Sequence, residues 1–200
     1  MENRELVFHG LAIKRHAGPE AVAGLMGMPV DDAAGTLADA VARGRAIEAK
    51  GGYALTPLAR LSLEARYALH FSELRENADF LGAYEGFERI NRTLKQVITD
   101  WQTLDIGGVR TSNDHSNKSH DDAIIDRLGQ VHETVEPLLE KLSQHLPRLA
   151  IYSKKLLQAL EAAEDGEIEW VSDIRRESYH TVWFELHEDL LRIMGCEREE

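Results

Sequence analysis

The sequence predicts a mainly α-helical protein made of two modules, an N-terminal one with a small β-hairpin and a C-terminal helical bundle. Three observations lead to this prediction. Apolar residues recur at spacings of three and four along most of the chain, as in amphipathic helices. The Gly51-Gly52 pair lies between two short segments with apolar residues, which is typical of a tight hairpin. The charge, finally, is divided unevenly between the two parts of the chain.

The overall composition is that of a folded globular protein. Of its 200 residues 43% are hydrophobic and 29% are charged, and the formal net charge is −12. No apolar run reaches the roughly 18 residues that a membrane span needs, so we expect no membrane association. The single cysteine, Cys196, cannot form an internal disulfide, and the first residues lack the pattern of a secretory signal. We therefore expect a cytoplasmic protein.

The negative charge falls entirely in the C-terminal part. Residues 1–68 contain eight basic and eight acidic residues, whereas residues 69–200 contain the other 15 basic and 27 acidic ones. Most of the alanine- and glycine-rich sequence also lies in the first part, and most aromatic residues lie in the second. We therefore predict a first domain at 1–68 and an acidic helical domain at 69–200. The excess charge argues against general nucleic-acid binding, but not against contacts made by the neutral first domain.

Three helices are predicted at the start of the first domain. The first is expected to end near Gly18, and the second to span Pro19–Met26, because proline is favoured at the first helical position. Asp31 or Asp32 is expected to cap the third helix, since aspartate is a favoured N-cap residue. Gly44 is expected to end that helix.

A β-hairpin and a further helix are predicted next. Ala46–Ala49 and Tyr53–Thr56 are expected as short strands around Gly51-Gly52, and Pro57 opens the helix that follows. Helices followed by a hairpin in this order are typical of a winged helix-turn-helix domain. The run from Gly44 to Arg60, with its Tyr-Ala-Leu-Thr-Pro segment, resembles the wing of MarR-type transcriptional regulators. The resemblance covers about residues 5–66 and implies a homodimer that binds double-stranded DNA with its third helix in the major groove.

Several residues are candidates for DNA contacts under this interpretation. One is a side chain on the third helix that can reach a base, and the others lie where they can reach backbone phosphates. The candidates are Thr36, Arg43, Arg45, Lys50, Gly51 and Gly52. However, Asp31, Asp32 and Asp39 lie on the same third helix and would repel phosphates. A winged-helix module that serves protein contacts instead of DNA binding is therefore the alternative.

The second domain begins with the pattern of a long helix over about residues 80–104. Gly107-Gly108 is expected to close this helix, and residues 109–120 lack periodicity and are expected to form an exposed loop. Asp121 or Asp122 is expected to begin the next helix.

Two further helices complete the predicted bundle. Pro137 is expected to kink the helix that begins near residue 121, and Pro147 to open the third one. Ser172 or Asp173 is expected to cap the last helix, which ends at Gly195. Wide apolar stripes on all four helices predict that they bury a common core.

Two polar clusters of the second domain have residue types that occur in binding sites. The histidines and aspartates of residues 113–122 match no zinc or calcium spacing, so we expect a polar loop without a metal. Aromatic and histidine side chains of the last helix, together with one tryptophan from the first, are candidates for binding a small acidic effector in a polar cavity. These candidates are Trp101, Tyr179, His180, Trp183 and His187. The alternative is that both histidines lie at the rim of the bundle with satisfied hydrogen bonds.

No motif of an enzyme is present in the sequence. It contains no phosphate-binding glycine loop, no Gly-x-Ser-x-Gly turn and no His-Glu-x-x-His pair, so we expect neither catalysis nor a cofactor. A bundle enzyme that uses His180, His187 and Glu188 is the least favoured hypothesis. The leading expectation is a transcriptional regulator that binds DNA as a homodimer and responds to a small molecule. The alternative is an accessory or protein-interaction module that does not bind DNA.

Overall fold

The computed structural model describes residues 1–197 and is mainly α-helical, with small antiparallel hairpins. The chain divides into two compact units. The first combines residues 1–77 with the described residues from His187 onward, and the second is Ala78–Leu186. The domain boundary predicted at residue 68 falls inside a helix, Pro57–His70. Among the described residues, no helix is long and apolar enough to cross a membrane.

The first unit is built from five helices, one hairpin and the end of a sixth helix. The elements that lie wholly within it are α1 (Asn3–Lys14), α2 (Pro19–Met26), α3 (Val30–Ala42), β1 (Ala46–Ala49), β2 (Gly52–Leu55), α4 (Pro57–His70) and α5 (Ser72–Glu76). Its core is formed by apolar side chains that these elements bury, among them Val7, Leu11, Val22, Leu25, Leu37 and Leu63.

Helices α1 and α3 have boundaries that differ from the predicted ones. Helix α1 ends at Lys14, before the expected Gly18, because Ala17 pairs with Tyr53 instead of continuing the helix. The two residues exchange backbone hydrogen bonds of 3.1 and 2.9 Å. Helix α3 begins at Val30 after Pro29, so the aspartates at 31 and 32 lie in its first turn instead of capping it. In that turn they still interact favourably with the helix dipole.

The predicted hairpin is present, but its turn lies one residue earlier than Gly51-Gly52. Ala49 pairs with Gly52, so the turn residues are Lys50 and Gly51, with φ angles of 49° and 75°. Positive φ at both positions is the conformation of the tight turns that join two antiparallel strands. Gly52 therefore belongs to β2, where it is buried.

The second unit contains three long helices, a second hairpin and the start of the last helix. Its elements are α6 (Ala78–Gln102), β3 (Thr103–Ile106), β4 (Val109–Ser112), α7 (Lys118–His145), a 3-10 turn (Pro147–Leu149), α8 (Ala150–Glu164), α9 (Glu169–Ser172) and α10 (Tyr179–Met194). Helix α10 begins in this unit, and its residues from His187 onward belong to the first unit. A helical bundle was predicted for this region, and the helices are present.

The hairpin β3–β4 replaces the predicted helix end and exposed loop. Gly107 and Gly108, with φ angles of 65° and 84°, form the turn between its strands. The glycines therefore reverse the chain instead of only ending a helix, as positive φ at two consecutive positions allows. Periodicity did not predict the strands because all their described side chains are exposed or half-buried, so no alternation marks a buried face.

Helix starts in the second unit also differ from the predicted ones. Helix α7 begins at Lys118 because the Asn117 side chain accepts a hydrogen bond from the backbone of His120. It continues through Pro137 to His145. Helix α10 begins after Ser178, whose hydroxyl accepts a hydrogen bond from the Thr181 backbone at 3.3 Å, instead of after Ser172 or Asp173.

Candidate functional site

The outward face of α3 carries acidic and small residues. Its exposed side chains include those of Asp31, Asp32 and Asp39, and its other exposed positions are Gly35, Ala38, Ala42 and Val30. Thr36, the predicted base contact, is half-buried. Base edges and phosphates are contacted mainly by side chains that donate hydrogen bonds. No exposed residue within α3 has such a side chain.

The basic residues predicted to contact DNA surround the end of α3 and the first hairpin. Arg43 already pairs with Asp39, because its Nε lies 2.8 Å from both carboxylate oxygens of that residue. Arg45 and Lys50 are exposed, and within residues 1–197 neither has an ion pair. At the turn, Gly51 is exposed whereas Gly52 is buried. A β-carbon at Gly52 would come within 2.6 Å of the His16 ring, so this position supports the hairpin and is not an accessible contact.

A cleft of about 280 Å³ lies in the first unit beside Arg43 and Arg45. Helices α1, α3 and α4 and the residues before β1 supply its walls. Its lining contains four arginines and two carboxylates together with apolar and small side chains. The lining residues are Arg4, Glu5, Phe8, Asp39, Ala40, Arg43, Arg45, Ala59, Ser62, Leu63 and Arg66.

Three predicted ligand-binding aromatics are packed in the second unit. Trp183 stacks on Phe87 with ring centres 4.8 Å apart, and Tyr179 stacks on Trp183 at 6.0 Å. The Trp183 indole donates a hydrogen bond of 3.0 Å to Asn91. Trp101 packs elsewhere, against the ring of His115 at 4.5 Å. The structure therefore brings Tyr179 and Trp183 together in a stack, with Trp101 in a separate contact.

The two predicted histidines belong to different units. His180 is half-buried in the second unit, and His187 is buried in the first. The aromatic stack is contacted by another histidine, His132, whose Nδ1 lies 3.2 Å from the Tyr179 hydroxyl. Binding of an acidic effector by the five candidates stays a prediction. None of the five lines the cleft beside Arg43 and Arg45 or a second cleft near residues 113–122.

The histidine- and aspartate-rich residues 113–122 form a hydrogen-bonded network. The Asn113 amide donates to the Trp101 carbonyl and to Asp121, both at 2.9 Å, and His115 lies 3.1 Å from the other Asp121 oxygen. The same region lines a second cleft of about 640 Å³, whose lining includes Asp122, Asp126 and Glu164. Within residues 1–197, no group of three histidine, cysteine or carboxylate side chains is placed to hold a metal ion.

A buried polar triad of the first unit was not predicted. His9 lies 2.8 Å from Tyr67 through Nδ1 and 2.8 Å from Asp189 through Nε2. All three side chains are buried, and Asp189 is fully so. The arrangement resembles a catalytic triad in its atoms, but no member is open to a substrate. Residues separated by 180 positions carry no local signal of their proximity, which is why sequence reasoning missed them.

One face of α4 is exposed and apolar. Leu58, Leu61 and Leu69 are 64%, 63% and 75% exposed, and the exposed Ala65 and Ala68 lie between them. On a helix of 3.6 residues per turn these five residues fall on one side, opposite the buried Leu63 and Tyr67. An exposed apolar face of this kind is a candidate interaction surface.

Comparisons with models of known protein families, with curated proteins and with solved structures find no match for this chain. The surfaces and clefts described above are therefore the basis on which a function is proposed.

Proposed function

We propose that this chain is a homodimeric winged-helix module that acts through protein contacts instead of reading DNA sequence. The observation that carries the proposal is the exposed apolar face of α4. Exposing three leucines on one helix face costs solvation free energy that a partner surface recovers, at about 25 cal/mol per Å² of apolar area buried. A second copy of the same chain is the partner to which this face is best suited.

The arrangement of the first unit supports the winged-helix interpretation. Helices α1, α2 and α3 precede the hairpin β1–β2, and Ala17, between α1 and α2, adds a bridge to Tyr53 of β2. Three helices with a small sheet of this order are what a winged helix requires. In this interpretation the hairpin is the wing and α4 is the helix that follows it.

The α4 face is suited to pairing with itself across a two-fold axis. In an antiparallel pair that places Leu61 opposite Ala65 of the second copy, Leu58 lies opposite Ala68. Such an isologous contact joins apolar surface to apolar surface.

The exposed face of α3 argues against sequence reading. Its three aspartates would lie against DNA phosphates, and removing them from water without a cation would cost free energy. Asp39 also engages Arg43, so that charge is offset locally. The neighbouring positions are glycine and alanine, which offer bases no hydrogen bond. The module is therefore better suited to protein partners than to a DNA site.

The experiment that tests the dimer measures the molar mass of two glutamate variants, Leu61→Glu and Ile174→Glu, by sedimentation equilibrium. Leu61→Glu is expected to convert a dimer into a folded monomer, because it places a charge in the middle of the contact. Ile174→Glu is the matched control, since Ile174 is 86% exposed but lies in the second unit. A wild-type chain that is monomeric, or a Leu61→Glu variant that remains dimeric, would contradict the proposal.

A transcriptional regulator that binds duplex DNA as a homodimer is the second candidate. The exposed Arg45 and Lys50 favour it, because they flank the wing and are uncommitted among the described residues. It predicts that selection from a random duplex library enriches a defined site, bound in a salt-sensitive way. Arg45→Ala/Lys50→Ala would weaken that binding. If the selection enriches no site, the DNA-binding candidate is wrong and the protein-contact proposal is retained.

A further inference from the structure

The first unit concentrates positive charge in one concave place although the chain as a whole has a net charge of −12. The cleft of about 280 Å³ is lined by four arginines and only two carboxylates, Glu5 and Asp39. The cleft residues thus have a net positive charge. Arginine is the side chain whose planar, multidentate donors best match phosphate and carboxylate groups.

Most of the guanidinium N–H groups of these four arginines make no hydrogen bond within residues 1–197. Arg43 engages Asp39 through Nε, and Arg66 engages Glu5 through Nε at 2.7 Å. Each pair therefore leaves both terminal nitrogens of its arginine without a partner among residues 1–197. Arg4 and Arg45 have no ion pair or side-chain hydrogen bond there at all. An oxyanion in the cleft would meet several guanidinium groups at once.

The two carboxylates orient arginines and do not fill the cleft. Glu5 is buried at one wall, where it accepts the Glu2 backbone N–H at 3.1 Å and pairs with Arg66 and His70. Burial opposes its ionisation, but this hydrogen bond and the neighbouring His70 and Arg66 hold the pKa of Glu5 below its ordinary value. Its charge is therefore already balanced before a ligand arrives.

The remaining lining limits the kind of molecule that fits. Phe8, Ala40, Ala59 and Leu63 add an apolar surface next to the arginines, and Ser62 adds a hydroxyl. The cleft volume of about 280 Å³ is slightly below the roughly 300 Å³ at which small-molecule sites begin. A ligand with one oxyanion group and a small apolar body suits both features.

We propose that this cleft binds the phosphate or carboxylate group of a small organic molecule, with Arg4 and Arg45 as the principal ligand donors and Arg43 and Arg66 as positioned partners. The site differs from the cavity predicted near Trp101, Tyr179, His180, Trp183 and His187. It does not depend on the proposed dimer, because no residue of the exposed α4 leucine face lines it.

The experiment titrates the full-length protein with inorganic phosphate and with phenyl phosphate, followed by calorimetry and by NMR shifts of arginine side chains. We expect phenyl phosphate to bind more tightly than inorganic phosphate, since its ring adds apolar contact. Arg4→Ala and Arg45→Ala are each expected to weaken binding about tenfold or more, as loss of a charge-assisted hydrogen bond does. Arg45→Lys, which keeps the charge but not the planar fork, is expected to lose part of the affinity.

Arg60→Ala is the matched control, because it removes an exposed arginine from α4 that does not line the cleft. Equal weakening by Arg60→Ala would show general charge attraction and overturn the proposal, as would absence of binding in a folded wild-type protein. A competition experiment with duplex DNA tests whether the arginines bind the phosphates of a DNA backbone rather than those of a small molecule. If duplex DNA displaces phenyl phosphate and loses affinity in the Arg4 and Arg45 variants, the arginines serve a DNA backbone instead. Sedimentation of the same variants measures their oligomeric state, and this result tests the proposed dimer independently of ligand binding.

Discussion

His9 is held in one orientation by its two neighbours. Burial raises the pKa of the Tyr67 phenol far above its ordinary value, so the hydroxyl keeps its proton. The Tyr67 hydroxyl lies 2.8 Å from His9 Nδ1, and the Asp189 carboxylate lies 2.8 Å from His9 Nε2. The imidazole is thus held between a phenol and a carboxylate. Such a network stabilises a structure only while all its members are present.

Substituting Asp189 by alanine is expected to destabilise the protein by about 3–5 kcal/mol, the cost of breaking a buried pair. The physical reason is that His9 loses the acceptor 2.8 Å from Nε2 in a fully buried site. The measurement is the free energy of unfolding from urea denaturation. Asp122→Ala is the control: its ion pair with Lys118 is exposed and worth less than about 1 kcal/mol. Equal effects of both substitutions would show that the buried pair adds nothing.

His132 confers a pH dependence on stability. Burial lowers the pKa of His132, and this effect exceeds the raising effects of Glu136, Glu164 and Glu133. The unfolded chain therefore binds a proton at a higher pH than the folded one. The stabilisation is complete above the ordinary histidine value of about 6.5 and is lost as the pH falls below it.

We expect the free energy of unfolding to decrease between roughly pH 7.5 and pH 5 in the wild type. In His132→Gln, which cannot titrate, the decrease should be smaller, by about 1.4 kcal/mol for each unit by which the pKa is lowered. The NMR titration of the His132 ring reports the same pKa directly. Parallel decreases in the two proteins would assign the pH dependence to other groups.

At the scale of elements, the hairpin β1–β2 is supported from outside its own strands. His16 Nε2 lies 2.7 Å from the Ala49 carbonyl, and the same ring lies where a β-carbon at Gly52 would be. Ala17 adds its bridge to Tyr53 from the next position along the chain. Glycine at 52 therefore leaves room for the His16 ring, whereas glycine at 51 is favoured by its positive φ.

Gly52→Ala is expected to displace His16 and to destabilise the first unit by about 1–3 kcal/mol, as overpacking does. In a His16→Ala background the same substitution should cost much less, because the space is then free. A double-mutant cycle on the free energy of unfolding measures this coupling. Additive effects, with no coupling energy, would contradict the contact.

The sequence predicted elements well where a local signal exists. Proline at the first helical position marked α2 and α4, and the glycine-containing turn marked β1–β2. The prediction failed where the structure depends on a residue distant in sequence, or where one sequence pattern is typical of two structures. Ala17 leaves α1 because Tyr53 is its partner, and Gly107-Gly108 was interpreted as a helix end because the same glycines also make hairpin turns. Of the candidate sites, the exposed basic residues lie near a cleft, whereas the aromatic candidates Tyr179 and Trp183 stack on each other.

At the scale of the whole molecule, the first unit is discontinuous in sequence. Leu190 and Ile193 of α10 are fully buried, and Arg75 donates a hydrogen bond of 2.6 Å to the Ile193 carbonyl. The first unit therefore includes side chains that follow the entire second unit in the sequence. A boundary drawn from composition alone does not include them, because the whole of Ala78–Leu186 separates them from residues 1–77 in the sequence.

A fragment of residues 1–77 is expected to be largely unfolded on its own, because it lacks the buried side chains of Asp189, Leu190 and Ile193. The far-UV circular dichroism and the dispersion of NMR signals measure this directly. Addition of a peptide that spans residues 179–197 is expected to restore part of the helical signal. A fragment that is cooperatively folded without the peptide would show that α10 is dispensable for the first unit.

The return of α10 to the first unit also has a consequence for biosynthesis. A ribosome makes α1 before α10, and Asp189, the partner of His9, follows His9 by 180 residues. During that interval the first unit lacks the side chains of Asp189, Leu190 and Ile193, which are buried in the folded chain. Contacts of such high sequence separation slow folding and prolong the exposure of apolar surface. We therefore expect the nascent first unit to keep apolar surface exposed until α10 has been synthesised.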